Sequence, residues 1–347
     1  MKRYNKIKRF KFSLTLFSLV QLFSGCEKIG YITEEYVDPH IIYSSLRWWN
    51  YDIFASDIYN EKDSHITKNQ WLDFSPTVNT NGDKIAFITD RDGNREIYYA
   101  QLNWMDGYYG WRADSLENLT NSSGHEWTPR FSPDSQYLLY SYYVEKYDNY
   151  DVFLYDLEKK IKTNLTNTPL YEINPQFSPD GSFIVYQSWQ GGVKEIFFLN
   201  ILEKNQINIS KSSQSNDILP TGNAFSPDGK GIVFTSDRAG NKDIFTMNIN
   251  STAVKKLTNS IYDEYDPEFS PDGQFILFTR EINGNKDIFI MNNDGSYPKQ
   301  LTSNESNDWN ARFYPKNDKI VFQTNRDGNW EIYIMDINGA NKRNLSQ

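Results

Sequence analysis

The stretch from residue 266 to residue 302 reads DPEFSPDGQFILFTREINGNKDIFIMNNDGSYPKQLT, and its pattern decides the fold. Ser-Pro-Asp-Gly at 270–273 predicts a turn, because proline fixes φ and glycine accepts a positive φ. Asn-Gly-Asn at 283–285 and Asn-Asp-Gly at 293–295 predict two further turns. The segments between these turns predict four short strands, at 267–269, 275–279, 287–291 and 299–302. Four antiparallel strands in about 44 residues are typical of one β-propeller blade.

Three phrases of this unit recur along the chain. Phe-Ser-Pro occurs at 74–76, 131–133, 177–179, 225–227 and 269–271, with a degraded copy at 313–315. A triplet of acid, aliphatic and aromatic residue occurs seven times, beginning at Asp52, Glu96, Asp151, Glu195, Asp243, Asp287 and Glu331. A pair of Leu or Ile with Thr or Ser closes each unit, from Ile66-Thr67 to Leu345-Ser346.

These counts predict an all-β fold, a β-propeller of four-stranded antiparallel blades. Seven copies of two phrases favour seven blades, of which the first is degenerate. Residues 31–37 are a candidate for the inner strand of this first unit. Six blades with an additional N-terminal hairpin is the alternative.

The repeat also resembles that of a known family. Phe-Ser-Pro-Asp-Gly, then a strand, an Asp-Arg-x-Gly-Asn turn and Asp-Ile-Phe, is similar to the TolB-type β-propeller repeat, a relative of the WD repeat. Residues 237–245, DRAGNKDIF, are nearly a consensus copy, and the resemblance covers residues 41–346. It implies a role at the bacterial cell envelope with a protein partner. TolB itself has six blades and a separate N-terminal α/β domain, for which the segment between Cys26 and Ile41 is too short.

The N-terminal 26 residues have the pattern of a secretory signal sequence. Six Lys or Arg residues stand among the first eleven, no acid precedes Glu27, and residues 12–23 are mostly apolar. That run is too short for a comfortable membrane span. The only cysteine, Cys26, follows a small residue at its end, so the segment resembles a bacterial lipoprotein signal with Cys26 lipidated. A plain signal peptide or a single membrane anchor are the alternatives. We predict a signal peptide at 1–26, a tether at 27–40 and one propeller domain at 41–347.

Composition excludes several classes of function. Lys and Arg number 36 against 45 Asp and Glu, a net charge of −9, which becomes −15 without the signal because that segment holds six basic and no acidic residues. Such an acidic chain is not expected to bind nucleic acid. One cysteine excludes an intramolecular disulfide framework, and three scattered histidines offer little for a metal site. We therefore expect no cofactor and no metal.

The starts of the inner strands pair an acid with an aromatic residue in several units. Antiparallel strand order places these starts on one face of the ring, around one mouth of the central channel. They predict a recognition surface on which acids attract and aromatics pack, or aromatic wedges between blades beside solvated acids. The candidate ligand-binding residues are Glu126, Trp127, Glu172, Asp217, Glu264, Tyr265, Asp308 and Trp309.

Two aromatic-rich insertions, at 103–111 and 142–150, interrupt the period. They are expected on opposite faces, either as loops that stack on sugars or peptides or as covers on their own blade. The candidate ligand-binding residues of the first insertion are Trp104, Tyr108, Tyr109 and Trp111.

The acids of the repeated triplet are expected to be structural, because a catalytic site needs one acid and not seven copies. Pairing with Arg91, Arg238 or Arg326, or acceptance of backbone N–H bonds, would be such a role.

No catalytic constellation is found in the sequence. A Gly-x-Ser-x-Gly elbow and a sialidase-type box are absent. We therefore expect no catalytic residues and a non-enzymatic protein-interaction scaffold in the cell envelope, periplasmic or surface-exposed, held at the membrane through its lipid alone. A carbohydrate-binding or carbohydrate-active propeller, glycosidase-like or lyase-like, is the alternative, with a glycan at the aromatic and acidic channel mouth. A peptidase-associated propeller is the weakest hypothesis, since the chain has no room for a catalytic domain.

Overall fold

A computed structural model describes residues 21–22, 41–47, 50–58, 62–105, 110–211 and 216–346. In these residues, 28 strands form seven four-stranded antiparallel sheets, and each sheet takes four consecutive strands. The all-β fold with seven blades is therefore confirmed, and its degenerate first unit is a complete blade.

The first three blades contain twelve strands. Blade 1 comprises β1 (Gln21–Leu22), β2 (Ile41–Arg47), β3 (Asn50–Asp57) and β4 (Lys62–His65). Blade 2 comprises β5 (Asp73–Val78), β6 (Lys84–Thr89), β7 (Glu96–Met105) and β8 (Gly110–Asn118). Blade 3 comprises β9 (Glu126–Phe131), β10 (Tyr137–Val144), β11 (Asn149–Asp156) and β12 (Ile161–Asn164).

The last four blades complete the ring. Blade 4 comprises β13 (Tyr171–Phe177), β14 (Phe183–Gln190), β15 (Val193–Asn200) and β16 (Gln206–Asn208). Blade 5 comprises β17 (Asp217–Ile218), β18 (Gly231–Ser236), β19 (Asp243–Asn248) and β20 (Val254–Lys256). Blade 6 comprises β21 (Asp263–Phe269), β22 (Phe275–Ile282), β23 (Asn285–Asn292) and β24 (Lys299–Gln300). Blade 7 comprises β25 (Asp308–Phe313), β26 (Lys319–Thr324), β27 (Glu331–Asp336) and β28 (Arg343–Asn344).

The inner strand of blade 1 comes from the apolar run near the N-terminus. Leu22 pairs with Ile41, and Gln21 pairs with Ile42. Residues 31–37, the candidate from the sequence, lie outside the described residues.

The ring closes between blades 7 and 1 without a shared strand. Blade 7 takes all four strands from the C-terminal part of the chain. A buried apolar cluster joins the two blades and includes Tyr43, Phe54, Val321 and Leu345. The Ser56 hydroxyl donates to the Leu345 carbonyl oxygen at 3.1 Å across the same seam.

Every blade contains an aromatic pair at the same register position between its second and third strands. The ring centroids lie 5.5 to 6.3 Å apart in Tyr43–Phe54, Phe87–Tyr98, Tyr140–Phe153, Tyr186–Phe197, Phe234–Phe245, Phe278–Phe289 and Phe322–Tyr333. In each case the second residue is the aromatic member of the repeated triplet. Such pairs stabilise by about 0.5–1.5 kcal/mol beyond the area that they bury. The high aromatic content therefore serves the core of each blade.

The Thr or Ser after the fourth strand explains why two of the phrases recur together. Its hydroxyl accepts the backbone N–H of the residue after the repeated acid at 2.8 to 3.0 Å in all seven blades. In blade 2 the Thr120 hydroxyl also donates to the Glu96 carboxylate at 2.8 Å, and the Ser122 N–H donates to Glu96 at 2.9 Å. The repeated acids are structural here, as expected from their seven copies.

The first copy of the Phe-Ser-Pro phrase is not a turn, which corrects the sequence interpretation. Residues 74–76 lie inside β5. The turn of blade 2 begins at Asn79, whose side-chain oxygen accepts the N–H groups of Asp83 and Lys84 at 3.1 and 3.0 Å. The Ser132 hydroxyl accepts the Tyr137 N–H in the same way at 2.9 Å. Phe-Ser-Pro at 74–76 was therefore a misleading match. In blade 2 the turn position that serine fills in the other blades is occupied by Asn79, whose side-chain oxygen accepts the same kind of hydrogen bond.

Candidate functional site

The acids at the starts of the inner strands are buried. Glu126, Glu172, Asp217, Glu264 and Asp308 are at most 2 % exposed. Their burial contradicts the expectation that they ring an exposed channel mouth, because a carboxylate without access to solvent cannot attract a ligand. Their equivalent in blade 2 is Asp73, which is also fully buried.

Four of these six acids pair with an arginine from the same blade. The ion-pair distances are 3.2 Å for Asp73–Arg91, 2.6 Å for Asp217–Arg238, 2.7 Å for Glu264–Arg280 and 3.0 Å for Asp308–Arg326. Each arginine also lies over the aromatic pair of its blade. The sequence interpretation offered Arg91, Arg238 and Arg326 as possible partners of the triplet acids, but their ion pairs are with the inner-strand acids. Arg91, Arg238 and Arg326 follow the second strand of their blades, and Arg280 lies within it, opposite Glu264 in the pairing register.

The remaining two acids have hydroxyl partners instead of an arginine. The Ser122 hydroxyl donates to Glu126 and the Thr168 hydroxyl donates to Glu172, both at 2.7 Å. Desolvation by burial raises the pKa of both carboxyls to about 7. Blades 3 and 4 therefore hold buried carboxyl groups with high proton affinity, as part of their interior.

The three aromatic candidates at the strand starts are half-buried, and each lies against a cation of the preceding blade. Arg95 lies 4.1 Å from the ring centroid of Trp127. Lys242 lies 4.7 Å from that of Tyr265, and Lys286 lies 4.9 Å from that of Trp309. These distances are within the range of cation–π attraction. The aromatics therefore act as wedges between blades while their outer edges remain accessible.

The position immediately before the repeated acid carries only aromatic residues or cations. In blade order the residues are Tyr51, Arg95, Tyr150, Lys194, Lys242, Lys286 and Trp330. Burial, followed by the charge of Lys242, lowers the pKa of Lys194. Sequence reasoning overlooked this position, although its register beside the triplet was a usable signal.

Exposed aromatic side chains are concentrated on one face of the ring. Strand order assigns the turns between second and third strands and the connections between blades to this face, which we call the aromatic face. Of the six clearly exposed aromatic residues in the described part of the chain, five lie there: Trp71, Tyr147, Tyr171, Trp189 and Trp330. The sixth, Tyr297, lies on the opposite face, between β23 and β24.

The most extended aromatic cluster spans blades 3 and 4. Tyr171 and Trp189 stack with ring centroids 5.5 Å apart, and each is 37 % exposed. Lys194 lies 5.1 Å from the Trp189 ring centroid, and Tyr150 lies 6.2 Å from Tyr171. The sequence candidates did not include Tyr171 or Trp189, because they lie outside the repeated acid-aromatic pair.

In the first insertion, the described residues extend β7 and β8 into a longer pair of strands. Trp104 in β7 pairs in register with Trp111 in β8. Trp111 packs against the apolar cluster between blades 1 and 2, and its backbone N–H donates to the Ser64 hydroxyl at 2.9 Å. Trp111 thus covers a neighbouring blade. Tyr108 and Tyr109 lie outside the described residues.

A central cavity of about 490 Å³ opens on the opposite face. We call this the proline face, because the Ser-Pro-Asp-Gly turns surround the opening. Three charged side chains from different blades line the cavity: Arg130, Glu268 and Arg312. Sequence reasoning missed this site, since its charged residues belong to no repeated phrase and come from distant parts of the chain.

The described residues contain no cluster of three or more His, Cys, Asp or Glu side chains arranged to hold a metal ion. Within the same part of the chain, no helix has the length and apolarity needed to cross a membrane.

Comparison with known proteins relates this chain to TolB-type β-propellers. The family model of the TolB beta propeller domain matches residues 105–266 and 257–347. No curated protein matches the chain. A TolB-type protein of Agrobacterium tumefaciens is 22% identical, with a TM-score of 0.53, over 67% of this chain and 84% of that protein. TolB of Acinetobacter baumannii is 20% identical, with a TM-score of 0.55, over 77% of this chain and 64% of that protein.

A lyase shares the fold at lower sequence identity. Oligogalacturonate lyase of Vibrio parahaemolyticus is 11% identical, with a TM-score of 0.68, over 86% of both chains. At this identity the likeness concerns the fold alone, since propellers carry many unrelated activities.

Proposed function

The chain belongs to the TolB beta propeller domain family, and on that premise we propose that it is a bacterial envelope protein whose propeller binds a protein partner without catalysing a reaction. The surface for this partner is the aromatic face. The observation that carries the proposal is the concentration of five of the six exposed aromatic side chains on this face. Exposed aromatic residues are costly in water and are enriched at the centres of protein interfaces.

Charge on the aromatic face favours a partner with acidic or aromatic groups. Arg95, Lys194, Lys242 and Lys286 lie beside aromatic rings there, at 4.1 to 5.1 Å from the ring centroids. The inner-strand acids are buried and do not offset these cations at the surface. Lys242 is ion-paired with Asp263 at 3.6 Å, so Arg95, Lys194 and Lys286 carry this preference.

The proposed attachment to the membrane is a lipid on Cys26. In this proposal residues 1–26 are the lipoprotein signal, residues 27–40 the tether and residues 41–347 the propeller. Cleavage before Cys26 removes β1 and leaves β2 as the innermost strand of blade 1. Cys26→Ser is expected to release the protein from membranes and to abolish the mass of a lipid adduct. Unchanged membrane partitioning of Cys26→Ser would contradict lipidation.

A glycan ligand is the second candidate, and one observation favours it. The stacked, exposed pair of Tyr171 and Trp189 offers a flat apolar platform beside Lys194. Such platforms can stack on sugar rings, and the adjacent ammonium group suits an acidic sugar.

Affinity capture from detergent-solubilised membranes, paired with a glycan-binding array, distinguishes the two candidates. With the wild-type protein we expect one stoichiometric protein partner, which is lost with the double variant Trp189→Ala and Trp330→Ala. Leu202→Ala is the matched control, because Leu202 is 91 % exposed and lies on the proline face. Selective glycan binding that Tyr171→Ala abolishes, without a protein partner, would favour the second candidate.

A further inference from the structure

The central cavity differs from the rest of the ring because its charged residues do not repeat. Arg130, Glu268 and Arg312 occupy the same inner-strand position in blades 3, 6 and 7, just before the phenylalanine that ends each strand. Blade 4 has Gln176 at this position. A residue needed to build a blade recurs in every blade, as the aromatic pairs do. The varied polar residues here therefore point to a purpose specific to this cavity.

The two arginines of the cavity differ in how fully their donors are used. Arg312 forms an ion pair with Asp266 at 2.9 Å and donates to the Asn310 side chain at 2.6 Å and to the Thr221 hydroxyl. Arg130 donates to the Thr221 carbonyl oxygen through Nη2, while its buried Nε has no hydrogen-bond partner. Among the described residues, no carboxylate forms an ion pair with Arg130.

An insertion in blade 5 builds the contacts between these arginines. Its inner strand β17 stops at Ile218, and three more residues separate the acid from the phenylalanine than in blade 3. Thr221 in this insertion contacts both arginines, and its N–H donates to Asp266 at 2.7 Å. A Cβ atom at Gly222 would lie 2.7 Å from Nε of Arg312, so a side chain there would have to displace the Arg312 guanidinium. The insertion thus fixes the guanidinium groups in place.

From these observations we propose that the central cavity binds a carboxylate group through the guanidinium of Arg130. A guanidinium group matches a carboxylate in planar, bidentate geometry. An interior cation without a paired anion is unfavourable, and a bound carboxylate would neutralise it. The volume of about 490 Å³ is that of a small-molecule pocket. The carboxylate comes from a small organic acid or from the C-terminus of a peptide.

The cavity also sets the pH dependence of this binding. The charged groups that face Arg130 are Arg312 from β25 and Asp266 and Glu268 from β21. Burial raises the pKa of Glu268 to about 7. Asp266 remains paired with Arg312. Since protonation of Glu268 removes the negative charge that repels a carboxylate, binding is tighter at pH 6 than at pH 8.

Calorimetric titration of the full-length, detergent-solubilised protein tests the proposal. The probes are sodium acetate, sodium succinate and tri-alanine with a free or an amidated C-terminus, against sodium chloride at equal ionic strength. Heat and thermal stabilisation are expected with a carboxylate probe and not with chloride or the amidated peptide. Binding of acetate or succinate alone assigns the site to small acids, and binding of the free peptide alone assigns it to chain ends. Equal binding of the free and amidated peptides, or no carboxylate-specific signal, overturns the proposal.

Variants of Arg130 test whether this residue is responsible for the carboxylate binding measured by calorimetry. Arg130→Gln is expected to weaken carboxylate binding at least tenfold, and Arg130→Lys, which keeps the charge but not the bidentate geometry, several-fold. Arg112→Gln is the control, because Arg112 is exposed on β8, outside the cavity. If Arg130→Gln does not fold, the Lys variant decides, and unchanged binding by it overturns the assignment. The site lies on the proline face, so the result is independent of partner binding at the aromatic face.

Discussion

At the scale of single residues, the buried acids of the inner strands fall into two kinds. Glu264 has the guanidinium of Arg280 as its counter-ion at 2.7 Å. Glu126 and Glu172 have no arginine partner, and burial raises their pKa from the ordinary value of 4.5 to about 7. Burial raises the pKa at this position in all three blades, but only Glu264 has a counter-ion when it is ionised.

Glu126→Gln and Glu172→Gln should stabilise the protein in alkaline solution. The folded state binds the proton more tightly than the unfolded state, so stability falls as the pH rises from about 4.5 to about 7 and then levels off. Each Gln variant should be more stable than wild type by about 1–3 kcal/mol at pH 8.5, with little difference at pH 4.5. Urea unfolding at both values measures this.

Glu264→Gln is the control for these variants. It leaves Arg280 without its buried counter-ion, so it should destabilise the protein at pH 8.5. Destabilisation at pH 8.5 by all three substitutions would contradict the distinction between the two kinds of acid.

At the scale of elements, the inner strands share a bulge that the sequence did not reveal. Five of them contain a non-glycine residue with φ between 50° and 54°, followed by Pro or Ala: Ser75, Thr128, Asn174, Asp266 and Asn310. The pairing register shifts at the same place in these strands. A bulge turns side chains toward a different direction and stores backbone strain. Here it lies directly before the residues that line the cavity.

Thr128→Gly should stabilise the protein by about 1 kcal/mol, because a β-branched residue at φ 51° is strained and glycine is not. Thr77→Gly provides the comparison, since Thr77 is a buried inner-strand residue outside the left-handed region and its replacement should destabilise. Thermal unfolding of both variants measures the difference. A loss of stability for Thr128→Gly as large as that for Thr77→Gly would show that the bulge is unstrained.

The sequence predicted the elements well where the pattern is local. Turn residues and alternating aromatics recur in each blade, so the strands and turns predicted for residues 266–302 could be transferred to the other blades. It failed at Phe74-Ser75-Pro76, where a proline in β5 imitates the turn that begins at Asn79. It also could not show that Glu126 and its equivalents are buried, because burial depends on the neighbouring strands.

At the scale of the whole molecule, blades 7 and 1 meet at the one interface in the described ring that no connecting loop crosses. Opening of this seam separates side chains such as Tyr43 and Leu345 but strains no connection. We therefore expect faster amide hydrogen exchange in β2–β4 and β26–β28 than in the corresponding strands of blades 3 to 6. Mass spectrometry of exchanged peptides measures it. Uniform protection around the ring, or fastest exchange in blade 4, would contradict this expectation.

The candidate sites could be predicted only in part, because some of their residues come together only through strand pairing and closure of the ring. Trp127, Tyr265 and Trp309 became candidates because aromatic residues recur beside the inner-strand acids, and their role in binding stays a prediction. Tyr171 and Trp189 were not identified, because their contact depends on strand pairing. The cavity combines residues from blades 2 to 7, and only the closed ring brings them together.

Photo-cross-linking in the envelope tests most directly the claim that the aromatic face binds a protein partner. p-Benzoylphenylalanine is placed at Trp189 or Trp330 on that face, and at Tyr297, which is 83 % exposed on the proline face, as the control. We predict one common protein adduct from positions 189 and 330 and none from 297. An adduct from 297 alone, or no adduct from 189 and 330, would contradict the claim.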